Sequence, residues 1–105
     1  LKDLCPDLGC VLDIKQAMQS RIDYEEYLKV MQGRLRTVHL CDYTEDGKLA
    51  IPGRGIFDFV TLFKKLADYG YDGVCLMEVY AKDYKDDNDL QEAFDYLKDC
   101  LERAK

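Results

Sequence analysis

The sequence predicts an α/β fold in which parallel strands alternate with helices. Three short apolar runs, at residues 9–13, 35–40 and 74–79, are typical of strands that are buried on both faces. A segment whose apolar residues have helical spacing follows each run. Strands that alternate with helices in this way pair in parallel, and the helices cover the sheet.

The first unit combines a short strand with two helical segments. Residues 9–13 are the predicted strand, and residues 14–19 are expected to form a helical turn. A helix then begins after Asp23, a predicted N-cap that has Glu26 three positions on, and it stops at Gly33. The apolar residues of this helix share one face and comprise Tyr24, Tyr27, Leu28 and Met31.

The second unit contains a strand, a long loop and a helix. The strand covers residues 35–40, and no regular structure is predicted for the loop at residues 41–56. Loops of this length in compact domains are often functional. Asp58 is the predicted N-cap of a helix that ends just before Gly70. The predicted hydrophobic contacts of this helix involve Phe57, Leu62, Phe63 and Leu66.

The third unit contains the last strand and the last helix. The strand covers residues 74–79, and the acidic residues 82–87 are expected to form a loop. Asn88 or Asp89 is predicted to open the helix, and Glu92 would complete a capping box with Asp89. The predicted apolar stripe comprises Leu90, Phe94, Leu97 and Leu101.

Composition and charge describe one soluble domain, residues 1–105. The net charge of −6, without a basic cluster, argues against nucleic-acid binding. No apolar run approaches the roughly 20 residues that a membrane span needs. The five cysteines, at positions 5, 10, 41, 75 and 100, form no CxxC pair, so we expect reduced and mostly buried thiols in a cytoplasmic protein.

The sequence also indicates a part of a larger α/β protein. Three parallel strands leave two sheet edges open, and 105 residues supply only a modest core. The sequence begins with Leu1 rather than Met, and residues 1–8 are interpreted as the tail of a helix and a turn. We therefore expect the chain to self-associate or to pair with the missing part of the fold.

All three predicted strands carry residues that bind metals near their C-terminal ends. These residues are Asp13, His39, which is the only histidine, and Glu78. Because the C-terminal ends of parallel strands meet at one edge of a sheet, the side chains can converge. Imidazole and carboxylates together suit Mn, Zn, Co or Fe, and carboxylates alone suit Mg. Each residue also has a structural alternative: a helix cap for Asp13, a hydrogen-bonded core side chain for His39 and a paired buried carboxylate for Glu78.

Five sequence strings in a fixed order carry a family resemblance. They are Val11-Leu12-Asp13, Val38-His39-Leu40-Cys41-Asp42, Pro52-Gly53-Arg54-Gly55-Ile56-Phe57-Asp58-Phe59, Gly70-Tyr71-Asp72-Gly73 and Leu76-Met77-Glu78-Val79. Together they resemble the C-terminal part of the sugar phosphate isomerase/epimerase family, the xylose isomerase-like TIM barrels. The resemblance covers essentially the whole chain. It implies the α/β fold of strands six to eight, about three β/α units, of a TIM (β/α)8 barrel with parallel strands.

The resemblance further implies one divalent metal ion (Mn, Zn, Co or Mg) bound by Glu, Asp, His and Glu from strands five to eight. Asp13, His39 and Glu78 match the last three ligands, and the first Glu would lie on a strand outside this chain. In the related ketose 3-epimerases the ligand glutamates also move the proton, which implies a catalytic role for Glu78. The chemistry is consistent with this, because a cation that polarises a carbonyl acidifies the adjacent C–H, and a neighbouring carboxylate takes the proton.

Three further residues are candidates for substrate binding. Many family members have Asp-x-x-His after strand six, but Gln16 occupies the histidine position here, which argues against a second metal and against the trinuclear zinc site of the endonuclease IV branch. Gln16 could hydrogen-bond a substrate hydroxyl, and so could Lys15 unless it is solvated. Arg54 is a candidate for binding a phosphate or carboxylate, or else a surface residue of a turn. Asp42 either orients a ligand or substrate, or caps the loop.

The leading hypothesis is a metal-dependent isomerase or epimerase that acts on a small-molecule sugar or sugar phosphate by proton transfer next to a carbonyl. We expect the chain alone to be inactive, and we expect self-association or pairing with the missing barrel half. One alternative is a small non-catalytic α/β module, and another is a dehydratase or lyase on the same barrel. Convergence of the side-chain oxygens of Asp13 and Glu78 and of Nε2 of His39 to within about 5 Å would favour a metal site, whereas side chains that point apart would favour the module.

Overall fold

The computed structural model describes residues 9–79 and 85–105, which form a parallel sheet with helices packed on one face. The predicted alternation of strands and helices is confirmed. The predicted helix tail at residues 1–8 and residues 82–84 of the predicted acidic loop lie outside the described residues. In chain order the elements are β1 (Cys10–Asp13), α1 (Ile14–Gln19), α2 (Tyr24–Met31), β2 (Leu35–Leu40), β3 (Asp42–Tyr43), β4 (Leu49–Ala50), α3 (Phe59–Asp68), β5 (Val74–Met77) and α4 (Asp87–Arg103).

The three main strands pair in the order β1-β2-β5, and both pairings are parallel. The register places Asp13 beside His39, and His39 beside Leu76. Because successive side chains of a strand point to opposite faces, the register assigns one set of residues to one face, which we call the site face. The site face carries Val11, Asp13, Thr37, His39, Val74, Leu76 and Glu78.

The opposite face of the sheet forms the hydrophobic core with the helices. Leu12, Val38 and Leu40 are almost completely buried there, together with helix residues that include Leu28, Leu62, Phe63, Leu66 and Leu97. On the site face, in contrast, Val11, Val74 and Leu76 are 49%, 56% and 49% exposed. The prediction of strands buried on both faces is therefore wrong for the described chain, because its helices cover only one side of the sheet.

Local side-chain chemistry sets the ends of α2 and α3 as predicted. Asp23 accepts a hydrogen bond from Glu25 N at 3.0 Å, and Asp58 accepts one from Thr61 N at 3.0 Å. Gly33 follows the end of α2 with a φ of 82°, in the left-handed region that favours glycine. None of the helices in the described ranges combines the length and the apolar character that a membrane span requires.

Helix α4 begins earlier than predicted and buries a different stripe. Asp86, rather than Asn88 or Asp89, is the N-cap, and it accepts hydrogen bonds from the backbone N–H groups of both of those residues. The buried residues are Ala93, Leu97 and Cys100, whereas Phe94 and Leu101 of the predicted stripe are 49% and 46% exposed. Cys75, on the neighbouring edge strand β5, is exposed as well, which corrects the expectation of mostly buried thiols. The four described cysteines form no disulfide; they are Cys10, Cys41, Cys75 and Cys100.

The loop at residues 41–56 contains regular structure that the sequence analysis did not predict. Strands β3 and β4 pair antiparallel, with Asp42 opposite Ala50. Strands of two residues are too short to show an alternating hydrophobic pattern, so the sequence gives little sign of them. The rest of the loop returns towards β3, and Ile56 N donates to Tyr43 O at 2.8 Å.

Asp42 organises this loop from a completely buried position. Its Oδ1 accepts hydrogen bonds from Tyr43 N at 2.8 Å and Phe57 N at 2.9 Å, and its Oδ2 accepts from Gly53 N and Gly55 N, both at 3.0 Å. Gly55 passes so close that a Cβ there would overlap Asp42 Oδ1 and the Tyr43 carbonyl. The carboxylate therefore fixes the loop that follows the C-terminal end of β2.

Candidate metal centre

The C-terminal ends of the three main strands bring Asp13, His39 and Glu78 together on the site face. Asp13 ends β1 and lies beside His39 of β2 in the sheet register. Glu78 directly follows β5, and its backbone N–H donates to Leu40 O at 2.7 Å, which extends the pairing with β2 by one residue. The parallel register therefore places all three side chains at one edge of the sheet.

The polar atoms of these three side chains converge on one point. One ligand atom from each residue lies within 4.8 Å of the other two. Nδ1 of His39 is 3.5 Å from Asp13 Oδ2 and 3.2 Å from Glu78 Oε2. The side chains of Asp13, His39 and Glu78 are 19%, 32% and 24% exposed, so the cluster is partly buried but open to solvent. The three side chains therefore converge as expected of a metal site, but His39 faces the carboxylates through Nδ1 and not through the expected Nε2.

Each carboxylate uses one oxygen for a contact outside this cluster and presents the other to His39. Asp13 caps α1, because its Oδ1 accepts a hydrogen bond from Gln16 N at 3.1 Å. Glu78 Oε1 lies 3.8 Å from Lys15 Nζ. The remaining oxygens, Asp13 Oδ2 and Glu78 Oε2, face the imidazole. The helix cap predicted as an alternative for Asp13 is therefore present together with the cluster.

The cluster fits a divalent cation in both chemistry and spacing. Two carboxylate oxygens and one imidazole nitrogen suit Mn, Zn, Co or Fe. Ligand atoms about 2.0–2.2 Å from one ion lie roughly 3.0–3.5 Å apart at tetrahedral or octahedral angles. The distances of 3.5 Å and 3.2 Å from Nδ1 to the two carboxylate oxygens match this spacing.

The thiol of Cys41, next to the end of β2, experiences the negative charge of the cluster. Its pKa is raised to about 12, chiefly by burial and also by the carboxylates of Asp13 and Glu78, while Lys15 lowers it. The thiol is therefore protonated at neutral pH, and Cys41 is not one of the three residues of the cluster. The donor set of the cluster consists of oxygen and nitrogen atoms.

The sequence profile of the xylose isomerase-like TIM barrel family matches residues 2–100. The chain belongs to this xylose isomerase-like TIM barrel family. Among solved structures, it is similar to the crystal structure of a D-tagatose 3-epimerase-like protein, with a TM-score of 0.70 and 26% sequence identity over 92% of this chain and 36% of that chain. No curated protein is significantly similar to it.

Membership of this TIM barrel family confirms the predicted fold class and explains the site face. The chain spans about a third of the length of the epimerase-like protein, since the match covers 36% of it. Its three parallel strands are a segment of a barrel wall whose helices lie outside. The half-exposed site face is thus the inner face of the barrel, and the cluster lies at the C-terminal ends of the strands, where TIM barrel enzymes have their active sites.

The three candidate substrate-binding residues lie in different environments in this family member. The side chain of Gln16 is exposed, while its backbone N–H serves the cap of α1. Arg54 forms ion pairs with Asp89 at 2.7 Å and Glu92 at 3.2 Å, both on α4, and so connects the loop to that helix. All four hydrogen bonds described for the carboxylate of Asp42 bind the loop backbone, which fits the alternative of loop capping. A role in substrate binding stays a prediction for all three residues.

Lys15 is less exposed, and lies closer to the cluster, than its sequence context predicts. Its side chain is only 21% exposed and it pairs with Glu78, although solvated surface was the expected alternative. The relevant sequence signal is its position two residues after Asp13, in the first turn of a helix that begins at the same sheet edge. The pairing itself depends on a strand tip 63 positions later, which no local pattern indicates.

Proposed function

We propose that this chain supplies the metal-binding part of the active site of an isomerase or epimerase acting on a sugar or sugar phosphate. The observation that carries the proposal is the convergence of Asp13, His39 and Glu78 at the C-terminal strand ends. The family and the similarity to a D-tagatose 3-epimerase-like protein support it. Because the chain spans 36% of that protein, the activity would reside in a complete barrel, and the 105 residues alone should show little or no catalysis.

In this proposal Asp13, His39 and Glu78 hold one divalent cation. When bound, the cation polarises the substrate carbonyl and makes the neighbouring C–H more acidic. Asp13 is well suited to hold it, since the cap of α1 fixes the orientation of its carboxylate. His39 contributes a nitrogen that lies between both carboxylates.

Glu78 is the proposed acid/base group of this chain. Its carboxylate has one oxygen towards the cluster and the other towards Lys15, so the side chain is held at the edge of the sheet. A carboxylate held beside an acidified C–H can take the proton and return it, which isomerisation and epimerisation both require. A second acid/base group would come from another part of the barrel.

The first test is the metal content, by mass spectrometry, of the protein expressed from the complete reading frame. We expect about one divalent ion per chain, lost in His39→Ala, because catalytic sites of this kind need every protein ligand. Asp13→Asn should lose metal while keeping its helix cap, since Asn and Asp cap equally well. Asp68→Asn is the matched control, because Asp68 is exposed on α3 and the substitution removes the same charge as Asp13→Asn does. Wild-type protein without metal, even after loading with Mn²⁺ or Zn²⁺, would refute the proposal.

The second test is hydrogen exchange between solvent and substrate. Ketoses and ketose phosphates incubated with the metal-loaded protein in D₂O should gain deuterium at the carbon next to the carbonyl, as followed by NMR. Glu78→Gln should lower the rate by about 100-fold or more, because general acid–base groups contribute that much. A bound metal with no exchange on any ketose would contradict the isomerase assignment. Release of water from a cyclitol or keto acid would then favour the dehydratase or lyase.

A further inference from the structure

We propose that Lys15 competes with the divalent cation for the carboxylate of Glu78 and thereby weakens the affinity of the site for the cation. The inference rests on the proposed function, because it assigns Lys15 to the same site. It makes Lys15 a determinant of metal affinity rather than a ligand or an acid/base group. Its effect on the cation follows from the position, the burial and the charge of its ammonium group.

Lys15 is better shielded from solvent than the lysines of the surface ion pairs. Its Nζ lies 3.8 Å from Glu78 Oε1, and the two side chains are 21% and 24% exposed. In the surface pair Lys29–Glu26 the side chains are 58% and 66% exposed. Salt and water screen a partly buried charge less, so the ammonium of Lys15 acts strongly on its surroundings.

The two carboxylates of the cluster have different compensating partners. Asp13 receives the N–H of Gln16 at the start of α1, whereas Glu78 faces the full positive charge of Lys15. The ammonium of Lys15 therefore partly neutralises the cluster before any metal arrives.

A divalent cation that binds Glu78 must approach this ammonium. With the ligand distances usual for such ions, the two positive charges would lie about 5 Å apart. Their repulsion at this distance lowers the affinity for the cation roughly tenfold or more, even at the dielectric constant of water. Lys15 also restrains Glu78, but freeing one side chain changes an affinity by about 2- to 12-fold, and in this partly buried pair the effective dielectric constant is below that of water, so the repulsion is the larger effect. The two effects have opposite signs, so removing the charge should tighten cation binding.

The experiment compares Mn²⁺ affinity, measured by titration calorimetry, in wild-type protein and in Lys15→Met, which keeps the length of the side chain without its charge. We expect Lys15→Met to bind Mn²⁺ about tenfold more tightly at low ionic strength, with a smaller gain at high salt. Lys15→Arg should stay within about threefold of wild type, because it retains the positive charge. Lys29→Met is the matched control and should bind as wild type does, since its ion pair lies on the surface of α2.

The outcomes separate this inference from the proposed function. Unchanged or weaker Mn²⁺ binding by Lys15→Met would overturn the competition. If the wild type still binds Mn²⁺ and His39→Ala does not, the proposed metal site would stand without it. A gain in affinity that Lys15→Arg shares would also overturn it, because charge would not be the cause. Absence of Mn²⁺ binding in every protein would overturn both proposals. Far-UV circular dichroism of each variant verifies that the fold is retained.

Discussion

Replacement of the buried Asp42 by asparagine tests the structural account of the long loop most directly. The two carboxylate oxygens of Asp42 accept four backbone hydrogen bonds, two on each oxygen, and the residue is completely buried. Asparagine has nearly the same shape, but its amide nitrogen is a donor. Whichever way the amide is oriented, two backbone N–H groups would face that nitrogen instead of an acceptor.

The expected loss of stability follows from these four contacts. Hydrogen bonds to a charged acceptor contribute about 1.5–3 kcal/mol each, and an unsatisfied buried donor costs about 1–3 kcal/mol. Two lost bonds, together with two weakened ones, should lower the free energy of unfolding by roughly 3–5 kcal/mol after some relaxation of the loop. This is a large share of the roughly 5–15 kcal/mol that stabilises a typical domain.

Urea unfolding of the 105-residue chain, followed by far-UV circular dichroism, measures this loss, since the sequence contains no tryptophan for fluorescence. The protein concentration must be one at which the chain sediments as a single species. Asp68→Asn provides the control, because it removes one negative charge from the exposed end of α3 and should leave the midpoint nearly unchanged. A loss below about 1 kcal/mol for Asp42→Asn would refute the reasoning, because four charged hydrogen bonds would then contribute almost nothing.

Three further predictions concern the same loop, the cap of α3 and the open sheet edge. Gly55→Ala should lower the urea midpoint more than Gly47→Ala, because a Cβ at position 55 overlaps the buried carboxylate whereas the space around Gly47 is open and only its φ of 84° opposes a side chain. Asp58→Ala should destabilise the fold at pH 7, and progressively less as the pH falls below 3.8. The hydrogen bond of Asp58 with the Thr61 hydroxyl lowers the folded-state pKa of Asp58 below 3.8. The stabilisation by Asp58 is therefore complete above the unfolded-state pKa and is lost as the pH falls through the folded-state pKa. Equal losses of stability at pH 7 and at a pH below 3.8 would contradict this. The 105-residue chain should associate with rising concentration in sedimentation experiments. Val74→Lys should reduce the association, because Val74 is 56% exposed on the edge strand β5. A wild-type chain that stays monomeric at all concentrations would contradict this prediction.

Strands and most helix caps were predictable because their signals are local. The apolar run at 35–40 coincides with β2, and Asp23 and Asp58 cap their helices as expected. The start of α4 was not predictable in the same way. Asp86 and Asp89 both have the chemistry of an N-cap, but the carboxylate of Asp89 accepts a hydrogen bond from Lys85 N at 2.8 Å and pairs with Arg54 from the loop 35 positions earlier. A local and a tertiary contact together thus occupy one of two candidate caps.

The candidate site was predictable to the extent that strand ends define it. Asp13, His39 and Glu78 could be identified because apolar runs that end in polar residues indicate the C-terminal ends of parallel strands. The environment of Arg54 could not be inferred, since its partners lie on α4, far along the chain, whereas Asp42 binds the backbone of its own loop, as its capping alternative predicts. The sequence left a functional and a structural role open for each, and the contacts in the structure are those of structural roles.

For Asp13, however, the functional and structural interpretations are compatible, because a carboxylate has two oxygens. Oδ1 caps α1 and Oδ2 faces His39, so the cap orients the oxygen that the cluster needs. Glu78 repeats this division, with Oε1 towards Lys15 and Oε2 towards His39. A partner that holds one oxygen reduces the freedom that the side chain would lose when the other binds a cation. The two partners differ in one respect, since a backbone N–H adds no net charge to the site and Lys15 adds a full positive charge. In the proposed metal site, both carboxylates would therefore be preorganised, and only at Glu78 would this come with repulsion of the cation.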